Sequence, residues 1–187
     1  MVHLTPLALV AMSLLTLVTA APTAKATTDS EPVFSFAKWV DDLTANPDTA
    51  LGPEEAWQAY LNTVNSTSTF SAVPVAEKRW DAAVICNDIA PGPAYAPDAV
   101  WCINYLAAKG SAACITNTVS AFCFHGNAQI TGVSGSGFQQ STCQRVAQTA
   151  DLIMGTCTRS NNYVEGSRTN VNAGVQMYVH IRAPGGL

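Results

Sequence analysis

Asn172-Ala173-Gly174-Val175-Gln176-Met177-Tyr178-Val179-His180-Ile181-Arg182 is the stretch that decides the fold. Val175, Met177, Val179 and Ile181 alternate with Gln176, Tyr178, His180 and Arg182. Successive side chains of a strand point to opposite faces, so the pattern predicts a strand with one buried face, entered through a glycine turn.

Upstream, the apolar period changes from two to 3.6. Cys143, Val146, Ala147, Ala150, Ile153, Met154 and Cys157 share one stripe and predict a helix over 143–157. Ser141-Thr142-Cys143-Gln144 reads as its capping-box start. Residues 118–125 and 128–133 flank Gly126-Asn127, a hairpin signal whose turn residues tolerate positive φ. Ser134-Gly135-Ser136-Gly137 reads as a flexible loop. A first helix is expected over 98–109, with Asp98 near its start, Gly110 at its C-terminal cap and Ala99, Cys102, Ile103 and Leu106 facing inward. Pro91, Gly92, Pro93 and Pro97 place a loop before it, and residues 83–87 form a short apolar strand. The order β-α-β-β-α-β predicts an α+β fold, a disulfide-stapled α/β sandwich whose antiparallel sheet carries both helices on one face.

Cys86, Cys102, Cys114, Cys123, Cys143 and Cys157 all fall within this stretch. They are even in number and follow an N-terminal export signal, so disulfides are their expected state. No C-x-x-C or H-E-x-x-H spacing supports a metal, and Cys123-x-His125 lacks a second ligand pair. Six cysteines allow fifteen pairings. Cys143 and Cys157, at opposite ends of one helix, would sit about 21 Å apart, against about 6 Å for a disulfide. Their pairing is excluded and twelve pairings stay open.

The chain changes character near residue 80. Between Ala20 and Trp80 it carries eight acids against four bases, which accounts for the whole net charge of −4; from Trp80 onward the charges balance. A hydrophobic content of 48% with 12% charged residues describes a packed globule, and the acidic balance argues against a nucleic-acid partner. Residues 4–18 form an apolar run, too short to span a bilayer and interrupted by Pro6, ending in Val18-Thr19-Ala20. This predicts a signal peptide over 1–20, cleaved after Ala20. No apolar tail closes the chain, so no lipid anchor is expected. Residues 21–79 read as an acidic pro-segment with two short helices. One, over 33–43, is carried by Phe36, Val40 and Leu43; the other opens at Gly52-Pro53-Glu54-Glu55 and carries Trp57, Tyr60, Leu61 and Val64. Asn65-Ser66-Thr67 is the glycosylation acceptor. Residues 66–76 then read as a linker ending in Lys78-Arg79, a pair that kexin-type proteases cut when it is extended and exposed. Cleavage after Arg79 would leave 80–187 as a mature cysteine-rich domain, secreted and monomeric, with no cofactor.

The helix bearing Cys102, the segment Phe122-Cys123-Phe124-His125-Gly126-Asn127-Ala128, the helix flanked by Cys143 and Cys157, and the Gly174 turn into the last strand together resemble a group of secreted fungal proteins. These are the virally encoded killer-toxin family and the necrosis-inducing effectors related to it. The resemblance covers roughly residues 86–181. It implies an α/β sandwich with left-handed crossovers and a non-enzymatic action on competing microbes or host plant cells. Its partner would be a target-cell protein or surface component, and for the killer toxins the effect is on calcium transport.

Two other function classes compete. His125 and His180 with Glu165 and Arg168 supply the donor, acceptor and phosphate-binding cation of a small extracellular ribonuclease, although their spacing matches no ribonuclease signature. Trp80, Tyr95 and Trp101 suggest an inhibitor or carbohydrate-binding surface. The glycines of 132–137 lack the lysine of a phosphate loop, and Ser141 lacks a nucleophile elbow, so neither predicts a site.

Overall fold

The computed structural model describes residues 33–67, 83–86 and 89–185. Ala20, Lys78, Arg79 and Trp80, and with them the signal-peptide and dibasic readings, lie outside the described residues. The elements are α1 (Phe36–Ala45), α2 (Pro53–Thr67), β1 (Ile85–Cys86), β2 (Ala94–Tyr95), α3 (Ala96–Ala108), β3 (Ala113–Thr116), β4 (Val119–His125), β5 (Ala128–Ser134), β6 (Gln139–Thr142), α4 (Cys143–Cys157), β7 (Tyr163–Val164), β8 (Gly166–Thr169) and β9 (Met177–Arg182). The fold is α+β and every strand pair is antiparallel.

The main sheet runs β1-β8-β9-β5-β4. Met177, Val179 and Ile181 of β9 are fully buried with Ile130 of β5, on the face that α3 and α4 cover. Tyr178 points the other way and is exposed. The alternation of the last strand therefore means what it says. β8 was not expected. Gly-Ser-Arg-Thr has no apolar alternation, yet it pairs with β1 and β9 and completes the sheet between them. Gly166 earns that place by size: a Cβ there would lie 2.9 Å from Cys157 Sγ, Ile153 Cγ2 and the Ile85 carbonyl. The two-residue pair β2/β7 and the β3/β6 ladder were also unpredicted; segments of two to four residues are too short to show an apolar period.

Three disulfides close the fold: Cys86–Cys157, Cys102–Cys123 and Cys114–Cys143, with Cα separations of 5.3, 5.6 and 5.1 Å. Each ties a strand to a helix: two fasten α3 and α4 to the main sheet, and Cys114–Cys143 fastens α4 to the β3/β6 pair. At the β4/β5 pair, the register shifts between Ala121 and Cys123, and the Phe122 ring lies over Gly132. A side chain at 132 would collide with that ring, which is why the bulge and the glycine occur together.

Some boundaries move for identifiable reasons. Helix α3 starts at Ala96, and Pro97, expected in a loop, sits in its first turn, where a missing N–H costs nothing. Gly110 has φ 54 just past the helix, as the cap reading expects. The cap of α4 is Thr142, whose Oγ1 accepts from Arg145 N at 3.2 Å; Ser141, the expected cap, instead donates to Asn170 Oδ1. In α2, Val64 is exposed and not part of a buried stripe.

The helices α1 and α2 form a further layer on α3 and α4. At 100° per residue, the buried positions of α3 from Cys102 round to Val100 cover about 160°, and those of α4 from Thr149 round to Asp151 about 200°. A helix lying on a single sheet needs an arc nearer 100°. The excess is covered by α1, which buries Phe36, Trp39, Val40 and Leu43, and by α2, which buries Ala56 and Trp57.

Candidate binding surface

Alternation along β4 sends Cys123 and His125 to the same side, towards α3. Helical spacing brings Asp98, Trp101, Cys102 and Tyr105 to meet them. Cys102–Cys123 fixes the register between helix and strand, and one turn away the contact becomes polar and aromatic. The Asp98 carboxylate accepts from the Asn127 amide at 2.7 Å and lies 3.9 Å from His125 Nε2. Gly126, with φ 49, is the only residue type that fits between them, because a Cβ there would fall inside the Asp98 carboxylate, 2.7 Å from Oδ1 and nearer to Oδ2. The hairpin tip is thereby latched onto the start of α3.

The latch presents a row of side chains. The His125 ring stacks on Trp101 at 4.1 Å and 9°, Trp101 stacks on Tyr105 at 5.6 Å and 14°, and Lys109 Nζ sits 4.7 Å from the Tyr105 ring centroid. Trp101 and Tyr105 remain 38% and 39% exposed, and the His125 side chain 41%. The row brings together an imidazole, an indole, a phenol and an ammonium on one partly exposed strip. Donors of these kinds suit the carboxylates and carbonyls of a protein surface.

The expected acid–base residues do not converge. Gly166 and Arg168 of β8 face α4, and the Asp151 charge opposes the burial that lowers the Arg168 pKa. His180 points to the opposite side of the sheet, beside Thr131 and Ser167 in register. Burial, reinforced by the Arg182 cation, holds its pKa down at about 4. Glu165 is a structural tie: its Oε1 accepts from Ile89 N at 2.8 Å and its Oε2 from Arg159 Nη2 at 3.0 Å. His125 stands at the far end of β4, in the stacked row. Four residue types suited to ribonuclease chemistry are therefore distributed over separate surroundings.

Tyr95 meets Tyr163 edge-on at 5.8 Å across the β2/β7 pair, apart from the row. Tyr105 and Lys109 are the members that sequence reading missed; their signal is the spacing of four from Trp101, on the side of α3 away from its buried arc. Ser134–Gly137, read as a flexible loop, is tied down: Ser134 Oγ donates to the Gly137 carbonyl and Ser136 Oγ to Gln176 Oε1 at 2.6 Å. Asn65 is exposed in the last turn of α2, accessible to glycosylation. Among the described residues, no group of three or more His, Cys, Asp or Glu is placed to hold a metal, and no helix is long and apolar enough to cross a membrane.

No curated protein matches the chain. Residues 81–183, more than half of the sequence and the whole disulfide-bonded region, match the family described as a domain of unknown function (DUF8794), and the chain belongs to that family.

Proposed function

We propose that the protein is a secreted toxin or effector that acts on competing microbes or host plant cells by binding a target-cell protein, without catalysis. The observation that carries the reading is the His125–Trp101–Tyr105–Lys109 row, four exposed side chains held in fixed order by a latch and a disulfide. Ordering such side chains in advance lowers the entropy cost of association, and aromatic and cationic residues dominate binding energy at protein interfaces. Export is supported by the apolar leader ending at Ala20 and by the three closed disulfides, which are characteristic of oxidising compartments. The toxin assignment is supported by the resemblance of residues 86–181 to killer toxins and necrosis-inducing effectors.

The test compares two variants in growth-inhibition and leaf-necrosis assays. Trp101→Ala/Tyr105→Ala should lose activity by tenfold or more while keeping its thermal midpoint within a few degrees. His180→Gln lies on the opposite side of the sheet, leaves the row intact, removes one of the two histidines an acid–base mechanism would need, and should retain activity. Hydrolysis of RNA by the purified protein, abolished in that second variant, would establish the ribonuclease reading in its place.

A further inference from the structure

The helices α1 and α2 are held on the rest of the molecule by side-chain packing and hydrogen bonds. Phe36, Trp39, Val40 and Leu43 occupy positions i, i+3, i+4 and i+7 of α1, one face of the helix, and all four are buried. Helix α1 packs on α4 and α3, helix α2 packs on α3, and the two touch each other only slightly. The Phe36 and Tyr60 rings lie 5.0 Å apart between centroids. Polar chemistry orients α1: Arg145 Nη1 donates to Gln148 Oε1 at 3.0 Å, and Gln148 Nε2 donates to Asp41 Oδ1 at 3.2 Å. An acid of α1 thus meets a cation of α4 through one amide. The rest of the contact is apolar, and the segment 33–67 as a whole is acidic, with five acids against Lys38 alone.

Nothing covalent joins these helices to the disulfide-bonded domain except the chain through residues 68–82. All six cysteines pair among themselves between 86 and 157. The family match begins at 81, after both helices and two residues beyond Lys78-Arg79. We propose that the outer face of α3–α4 is a recognition surface for an acidic, aromatic helix pair, and that residues 33–67 occupy it as a separate chain after cleavage at Arg79. The processed protein is then a two-chain, noncovalent complex, not a bare 80–187 domain. The inference is independent of what the His125 row binds, because that row lies on a different side of α3.

Full-length, oxidised protein is cut with a kexin-type protease, the cut is confirmed by intact mass, and the product is run on a sizing column at micromolar concentration. Both fragments should leave in one peak, and a labelled peptide of residues 33–67 should exchange into it. A peptide with Trp39→Ala and Val40→Asp should exchange at least tenfold less well, and one with Asp41→Lys should also be weakened. Elution of the N-terminal fragment on its own overturns the proposal. So does exchange of the altered peptides at the rate of the original, since the face would then have no selectivity.

Discussion

Replacing Gly126 by alanine tests the latch between α3 and the β4/β5 hairpin. Two costs follow from the geometry. A non-glycine residue at φ 49 pays about 1–2 kcal/mol for the left-handed conformation. Its Cβ would also enter the space of the Asp98 carboxylate, so Asp98 must leave and the Asn127 amide loses a charge-assisted acceptor at 2.7 Å, about 1.5–3 kcal/mol. Partial exposure of Asp98 trims the second term, giving about 2–4 kcal/mol in all. Asp98→Ala alone should cost only the second term. Since both single changes remove the same hydrogen bond, the double variant should fall short of additivity by about that term. Denaturant unfolding of the four disulfide-intact proteins, followed by tryptophan fluorescence, measures the cycle. If Gly126→Ala costs as much in the Asp98→Ala background as in the parent, the carboxylate does not fill the space and the account of the latch is wrong.

His180 is held neutral by burial and by Arg182, with a pKa of about 4, against an ordinary histidine value of 6.5. The unfolded chain therefore binds the proton first as pH falls, so stability that is complete above about 6.5 should decline progressively towards pH 4, by on the order of 1–2 kcal/mol after allowance for partial exposure. His180→Gln should flatten that slope in a series of urea melts; an unchanged slope would mean that other groups carry it. Among the disulfides, Cys86–Cys157 spans 71 residues and Cys102–Cys123 spans 21, so chain entropy predicts losses of about 4 and about 3 kcal/mol when each pair is replaced by alanine. A larger loss for the shorter loop in the same melts would show that native-state packing around Cys102–Cys123 outweighs loop closure.

What could be read in advance depended on periodicity. The strand Met177–Arg182 and the helix Cys143–Cys157 announced themselves because one face of each is apolar and their ends carry turn or capping residues. The exclusion of a Cys143–Cys157 bond followed from helix length alone. β8 escaped because it is buried through glycine and arginine, whose burial depends on Cys157, Ile153 and Asp151, partners distant in sequence. The actual disulfide pairing was equally out of reach, since local geometry left twelve possibilities. The helices α1 and α2 were foreseen as helices, but their place on α3–α4 was written only in the width of the buried arcs, with Val100, Ala107 and Asp151 lying outside the narrow stripe that one sheet requires. In the binding surface, Trp101 and His125 were noticed separately and their stacking was not, because it needs the register that Cys102–Cys123 sets.

The margins of the main sheet have a consequence for behaviour in concentrated solution. A bare strand margin invites a second molecule to add its own strand, and repetition of that step builds fibres. Here one margin is β1, two residues long and anchored by Cys86, which is too little backbone to template a partner. The opposite margin is β4, whose ladder is kinked at Phe122, so its outward amides do not form a straight series. Molecules of this protein should therefore associate, where they do, through side chains such as those along α3, and not by lengthening the sheet from one copy to the next.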